Sequence, residues 1–237
     1  MSQRKFLTAE WRKLIMANYE IDPGILKKYL PAKTELDVWD HKYYISLVGF
    51  MFLNTRLRGL QIPFHSNFPE VNLRFYVRYR SGDDWKRGVV FINEFVPKSA
   101  ITFVANNLYQ ERYFTYPMKH KWEIGDKLII GYYWKKNNKW NKLEATAALN
   151  SCESKEGSKE EFITEHYWGY SAINKDKTGE YQVEHSRWCI YPVEQYSIDC
   201  NFETLYGKDF GFLDHADPVS IFLAEGSPVT IYTKKVL

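Results

Sequence analysis

A lysine becomes a nucleophile when burial or a neighbouring cation keeps its amine neutral near pH 7. Lys119 raises that question. It sits at the end of the aromatic-rich stretch YQERYFTYPMKH (109–120), with Arg112, His120 and Lys121 close in sequence. Such neighbours can perturb an amine, but a KHK run is usually a solvated charge patch. A second group of chemistry-bearing side chains lies in VNLRFYVRYR (71–80). There Val71, Leu73, Phe75, Val77 and Tyr79 alternate with Asn72, Arg74, Tyr76, Arg78 and Arg80, and Glu70 precedes them. Period two sends the two sets to opposite faces of a strand. Facing a cavity, Glu70, Asn72, Arg74 and Tyr76 would offer a carboxylate, an amide, a guanidinium and a phenol in one line. Such a line suits a small carboxylic acid, because Arg pairs with carboxylate in bidentate fashion. Facing water, the same residues would be the solvated side of an amphipathic sheet.

Other chemistries find little support. His41, His65, His120, His166, His185 and His215 form neither HxH nor HExxH, so no metal site is expected. There is no GxSxG, and GDKLIIGYY has the wrong spacing for a phosphate loop, so no cofactor is expected either. Cys152, Cys189 and Cys200 are an odd, sparse set without CxxC spacing, which argues against a disulfide scaffold and a zinc knuckle.

Composition bounds the class. Hydrophobic residues make up 45% and charged residues 26%, the balance of a globular chain. The 18 Tyr, 15 Phe and 8 Trp favour pleated surfaces and pocket walls. A net charge of +3 without a long basic run gives no reason to expect nucleic acid. The start, MSQRKFLTAEWRKLIM, lacks the apolar core of a signal peptide, and YYISLVGFMFL is too short to cross a bilayer. A reduced, cytoplasmic protein with no membrane partner is the expectation, with self-association as a homo-oligomer left open.

The elements that must position these groups are mostly strands. EIDPGILKKYLP (20–31) predicts a short helix, with Asp22 as N-cap, Pro23 at the first position and Pro31 as the stop. KSAITFVANNLY (98–109) has helical spacing at Ile101, Val104, Ala105 and Leu108. YYISLVGFMFL (43–53) predicts a buried strand. SGDD (81–84) turns 71–80 back into RGVVFINEFV (87–96). Asn137–Asn138 marks a tight turn between two strands, since Asn tolerates positive φ. CESKEGSKEE (152–161) reads as a polar loop. FITEHYWGYSAI, GEYQVEHSRWCIYPV, PVSIFLAEG and PVTIYTKKV read as strands, with a helical turn near NFETLYG. No linker or composition break divides residues 1–237, so a single, mainly β domain with a few short helices is expected.

Several of these segments carry a family resemblance: EWRKL, DPGILKKYLP, FPEVNLRFYV, RGVVFINEF, ANNLYQERYFTYPM and HSRW. Together they resemble a YqjF-like family of uncharacterised proteins, a domain of unknown function. That family in turn resembles the acetoacetate decarboxylase-like superfamily. The resemblance implies a closed, cone-like β-barrel with a pocket. The decarboxylase signature is tyrosine–proline–lysine–lysine, its first lysine forming a Schiff base with a β-keto acid. Here the stretch is Tyr116–Pro117–Met118–Lys119, so the Schiff-base position is Met118 and only the second, charge-supplying lysine is matched. Arg12 and Glu70 match an arginine and a glutamate of the decarboxylase pocket. A second pocket glutamate has no counterpart near KYYISLVGF.

The candidate pocket residues are therefore Arg12, Glu70, Asn72, Arg74, Tyr76, Arg112, Tyr116, Met118 and Lys119, with Lys119 the candidate catalytic group. Arg12, Glu70, Arg74, Tyr116 and Lys119 are expected to converge on one cavity. The leading functional expectation is a small-molecule ligand, carboxylate-bearing or apolar, held without a Schiff-base lysine. The alternatives are a decarboxylase- or aldolase-like lyase using Lys119, and a noncatalytic structural barrel.

Overall fold

A computed structural model describes residues 4–237. Its strands in chain order are β1 (Lys5–Glu20), β2 (Thr34–Leu36), β3 (Tyr44–Leu57), β4 (Leu60–Gln61), β5 (Phe68–Ser81) and β6 (Asp84–Val96). Next come β7 (Tyr113–Thr115), β8 (Met118–Ile124), β9 (Leu128–Lys136), β10 (Lys139–Ala147) and β11 (Cys152–Glu153). The last five are β12 (Trp168–Ala172), β13 (Thr178–His185), β14 (Cys189–Asp199), β15 (Ser220–Tyr232) and β16 (Lys235–Val236). Four short helices join them: α1 (Pro23–Leu26), α2 (Ser99–Val104), α3 (Lys159–Thr164) and α4 (Phe202–Tyr206).

Pairing runs β13–β12–β6–β5–β3–β1–β15, and β15 pairs back to β13, so seven strands form a closed ring. From β15 the sheet continues through β14, β10 and β9 to β8, and this extension packs over the outside of the ring. Strands β1, β3 and β5 are thereby buried on both faces over much of their length. Ile15, Leu47, Leu73 and Phe75 face outward against Tyr132, Trp134 and Leu143 of the second layer. Met16, Val48, Phe50, Tyr76 and Phe222 belong to a separate interior cluster. Double burial is why 43–53 is apolar at almost every position instead of alternating.

Local chemistry sets the corners. Asn137 and Asn138 have φ of +49° and +63°, the turn their identity predicts. Asp22 caps α1 by accepting from Gly24 N at 2.7 Å. In β1, Lys13 takes a φ of +55° and breaks the register with β3 between Arg12 and Ile15. Gly226 answers it on β15 at φ +81°, where a Cβ would overlap the Trp11 carbonyl oxygen.

Four readings of the sequence differ from the structure. The polar stretch 152–161 ends inside α3, because Ser158 accepts from Glu161 N at 3.2 Å and Glu160 and Glu161 sit in the first turn. The first residues of FITEHYWGYSAI thus belong to a helix, and the strand starts only at Trp168. GEYQVEHSRWCIYPV divides into β13 and β14. PVSIFLAEG and PVTIYTKKV fuse into β15, with Gly226 as a bulge inside it and β16 following.

Candidate functional site

Strand β5 runs along the interior of the ring and lays out the site in layers. Phe68, Glu70, Asn72, Arg74 and Tyr76 all face inward, and each is at most 7% exposed. At about 3.3 Å per residue, Glu70 and Arg74 are separated by roughly 13 Å of strand. The alternation read from the sequence is therefore real, but the polar set faces an enclosed interior instead of water.

At the Tyr76 end, α3 closes the ring. Phe162 packs on Tyr44, Tyr76 and His166, with ring centroids 6.0, 5.4 and 5.2 Å away. At the Phe68 end lies a cavity of about 190 Å³ with apolar walls from Phe6, Phe52, Phe68, Ile101, Val104 and Ile231. Helix α2 and the π-helical turn Ala105–Tyr109 form one side of it. Asn106 ties that turn to β7, accepting from Tyr113 N at 2.8 Å and donating to Tyr113 O at 3.0 Å. A smaller chamber of about 60 Å³ lies deeper, lined by Trp11, Asn72, Arg74, Glu94 and His166 among others. Glu70, Tyr113 and Tyr181 line both spaces and so form the boundary between them.

Three buried carboxyl groups gather at that boundary. Glu70 accepts from Tyr113 Oη at 2.9 Å and from Asn72 Nδ2 at 3.0 Å. Glu111 accepts from Tyr181 Oη at 2.9 Å. Glu94 stands opposite Asn72 in the β5–β6 ladder. Its inward direction depends on a bulge: Leu73 pairs with Asn93 but Arg74 with Phe91, leaving Ile92 as the extra residue. Ile92 lies in the outer core and Asn93 bonds the Leu205 carbonyl outside, so Glu94 turns in.

Burial governs the charges here. It pushes Glu70 up to about 7, with the bonds from Asn72 and Tyr113 and the Arg74 charge pulling the other way. Burial, and then repulsion by Glu111 and Glu70, put Glu94 well above the ordinary carboxylate range. Burial raises Glu111 to about 8, against the Tyr181 bond and Lys234. Tyr113 and Tyr181 are held well above the ordinary phenol value, first by burial and then by these carboxyls, and remain donors. Near neutral pH the site thus holds protons on most of its acids, with Glu70 near its midpoint.

The sequence-derived candidates separate into two groups. Glu70, Asn72 and Arg74 line the interior, and Tyr76 lies just beyond them, its hydroxyl 2.6 Å from Ser46 Oγ. The others lie elsewhere. Arg12 points away from Trp11, which lines the chamber, and forks onto Glu10 Oε2 at 2.9 and 2.6 Å. Arg112 is exposed between the inward Glu111 and Tyr113. After Thr115 the chain leaves the ring for the second layer, so Tyr116 and Met118 pack at the edge of the outer core. Lys119 is exposed, its ammonium 4.7 Å from the Trp140 ring centroid. The five residues expected to converge do not. Met118, matched in the sequence to the Schiff-base position, packs outside the ring, and no lysine among the described residues lines either space.

Residues absent from the sequence-based set complete the site: Glu94, Glu111, Tyr113, Tyr181 and His166. Glu94 carried a usable signal, a charge inside the apolar run Val89–Val96, like the signal of Arg74 in β5. The tyrosines and His166 gave none, because nothing local says which of many aromatic residues turn inward.

A family model of uncharacterized conserved proteins, DUF2071, matches residues 8–228, and the chain belongs to that family. The uncharacterized protein YqjF of Bacillus subtilis is 29% identical over 229 residues, covering 95% of this chain and 86% of that one. Among solved structures, acetoacetate decarboxylase from Legionella pneumophila superposes with a TM-score of 0.65 at 15% identity, covering 99% of this chain and 88% of its own. The enduracididine biosynthesis enzyme MppR complexed with pyruvate gives 0.69 at 10% identity, covering 100% and 91%. An acetoacetate decarboxylase-like enzyme from Sphingomonas wittichii gives 0.63 at 11%, covering 99% and 94%. At these identities the likeness establishes the acetoacetate decarboxylase-like fold.

Proposed function

We propose that this DUF2071 protein binds a small organic molecule inside the strand ring, its apolar body in the outer cavity and its polar head at the carboxyl boundary. The observation that carries this reading is the cluster of Glu70, Glu94 and Glu111 between an apolar cavity and a polar chamber, with no lysine lining either space among the described residues. An acid near its midpoint at neutral pH can both give and take a proton, which is what general acid–base chemistry needs. Imine chemistry requires a primary amine, and the matching position holds a thioether, Met118.

Two measurements test the reading. Ligand-observed NMR with hexan-1-ol should show saturable binding that Ala105→Trp abolishes by filling the outer cavity. Equal binding by both proteins would place the ligand elsewhere. Incubation with acetoacetate and borohydride should leave the intact mass unchanged. A reduced adduct on Lys119, lost in Lys119→Ala, would overturn the carboxyl reading in favour of lyase chemistry.

A further inference from the structure

We propose that the inner chamber selects a neutral head group carrying a hydrogen-bond donor beside an acceptor, a primary carboxamide being the simplest, and that His166, oriented by Asp37, accepts from its donor. The inference rests on the pocket reading above.

The tautomer of His166 follows from its partner. Asp37 Oδ2 lies 3.1 Å from His166 Nε2 and 2.7 Å from Arg87 Nε. Burial works to raise the Asp37 pKa, but the bonds and charges of His166 and Arg87 outweigh it and hold the group below its ordinary value, so it is a carboxylate. Nε2 must then carry the proton. Burial also drives the His166 pKa down to about 4, so the ring is neutral and Nδ1 is a bare acceptor. Nδ1 is buried and has no partner among the described residues.

Four other polar atoms around the same chamber share that condition: Asn72 Oδ1, Glu94 Oε2, Arg74 Nε and Trp11 Nε1. Asn72 spends its amide nitrogen on Glu70, which leaves its oxygen toward the chamber. The fixed members therefore comprise two acceptors, His166 Nδ1 and Asn72 Oδ1, and two donors, Arg74 and Trp11. A buried donor or acceptor left unpaired carries its full desolvation penalty, so a ligand that pairs these atoms is favoured.

A carboxylate head does not fit this pattern. It could accept from Arg74 and Trp11, but its lone pairs would oppose Nδ1 and Oδ1. It would also bring a negative charge beside Glu70, which is near its midpoint at neutral pH. A carboxamide supplies a carbonyl for the donors and an NH₂ for the acceptors, and it adds no charge. A hydroxyl can accept from the donors but has one O–H, so it can pair only one of the two acceptors.

The experiment is calorimetric titration near pH 7 with hexanamide, hexan-1-ol and hexanoate, which share one tail. Hexanamide should bind at least about tenfold more tightly than hexanoate. His166→Leu should lower hexanamide affinity by about tenfold and hexan-1-ol affinity by less than about threefold. ¹⁵N spectra of the wild-type imidazole provide a readout that needs no variant: hexanamide should shift Nδ1 and leave Nε2 protonated. Hexanoate binding as tightly as hexanamide would overturn the head-group inference and leave the pocket intact. An Nδ1 resonance indifferent to bound hexanamide would do the same. Failure of all three ligands to bind would overturn the pocket reading, and this inference with it.

Discussion

Glu111→Gln should stabilise the protein by ~2–4 kcal/mol near pH 8.5 and change it little near pH 5. An unfolded glutamate releases its proton around 4.5, whereas burial holds the folded Glu111 proton up to about 8. Between those values the native state binds more protons than the unfolded state, so stability falls as pH rises. The contribution of Glu111 is complete below 4.5 and is lost through 8. Glutamine keeps an acceptor for Tyr181 and never ionises, so it removes the alkaline loss. The substitution should also ease the ionisation of Glu70 and Glu94, since Glu111 contributes to raising Glu94 and Glu70 to raising Glu111. His166 has the opposite slope, lost as pH falls from 6.5 toward about 4, and it cancels in the comparison because both proteins contain it. Urea unfolding at the two pH values measures the difference. An equal change at both would mean that Glu111 is not a buried acid.

Asp37→Ala should cost ~2–4 kcal/mol, more than Arg87→Ala. Asp37 is 5% exposed and takes three bonds: from Arg87 Nε, from His166 Nε2 and from Val38 N at 3.0 Å. Its loss leaves a guanidinium over the Phe162 ring and an imidazole N–H with no acceptor in the core. Breaking a buried pair from one side typically costs about 3–5 kcal/mol, and the lower figure applies because the Arg87 side chain is one-third exposed and can reach water. Removing Arg87 instead leaves Asp37 two donors. Asp37→Asn should fall between the two alanine variants, since one amide oxygen can still accept. Urea unfolding curves with unchanged slopes would give the values. A cost under about 1 kcal/mol for Asp37→Ala would remove the basis for a fixed His166 tautomer.

Much of the ring was legible locally. The Asn137–Asn138 turn, the Asp22 cap and the 71–80 alternation each follow from a few adjacent residues. What the alternation could not say was which way the polar face looks. That depends on β13 meeting β15, a contact between segments about fifty residues apart. The same limit applies to the site. Glu70, Asn72 and Arg74 share one strand and could be grouped from sequence. Glu94 joins them only because Ile92 is bulged out, and His166 only because α3 turns back into the ring. The family motif around Lys119 was legible as a motif, but its side chains follow the chain out of the ring after Thr115.

The most direct test of a carboxyl-centred interior is ¹³C NMR of protein labelled at glutamate carboxyls, followed through pH. Most glutamates should titrate near the ordinary 4.5, while Glu70 and Glu111, assigned by loss of one signal each in Glu70→Gln and Glu111→Gln, should titrate near 7 and near 8. Glu94 should remain protonated well above the ordinary range. Saturating hexan-1-ol should shift the Glu70 resonance, which borders both spaces. Titration of all three near 4.5, or a Glu70 signal unmoved by bound ligand, would contradict a binding site organised around buried acids.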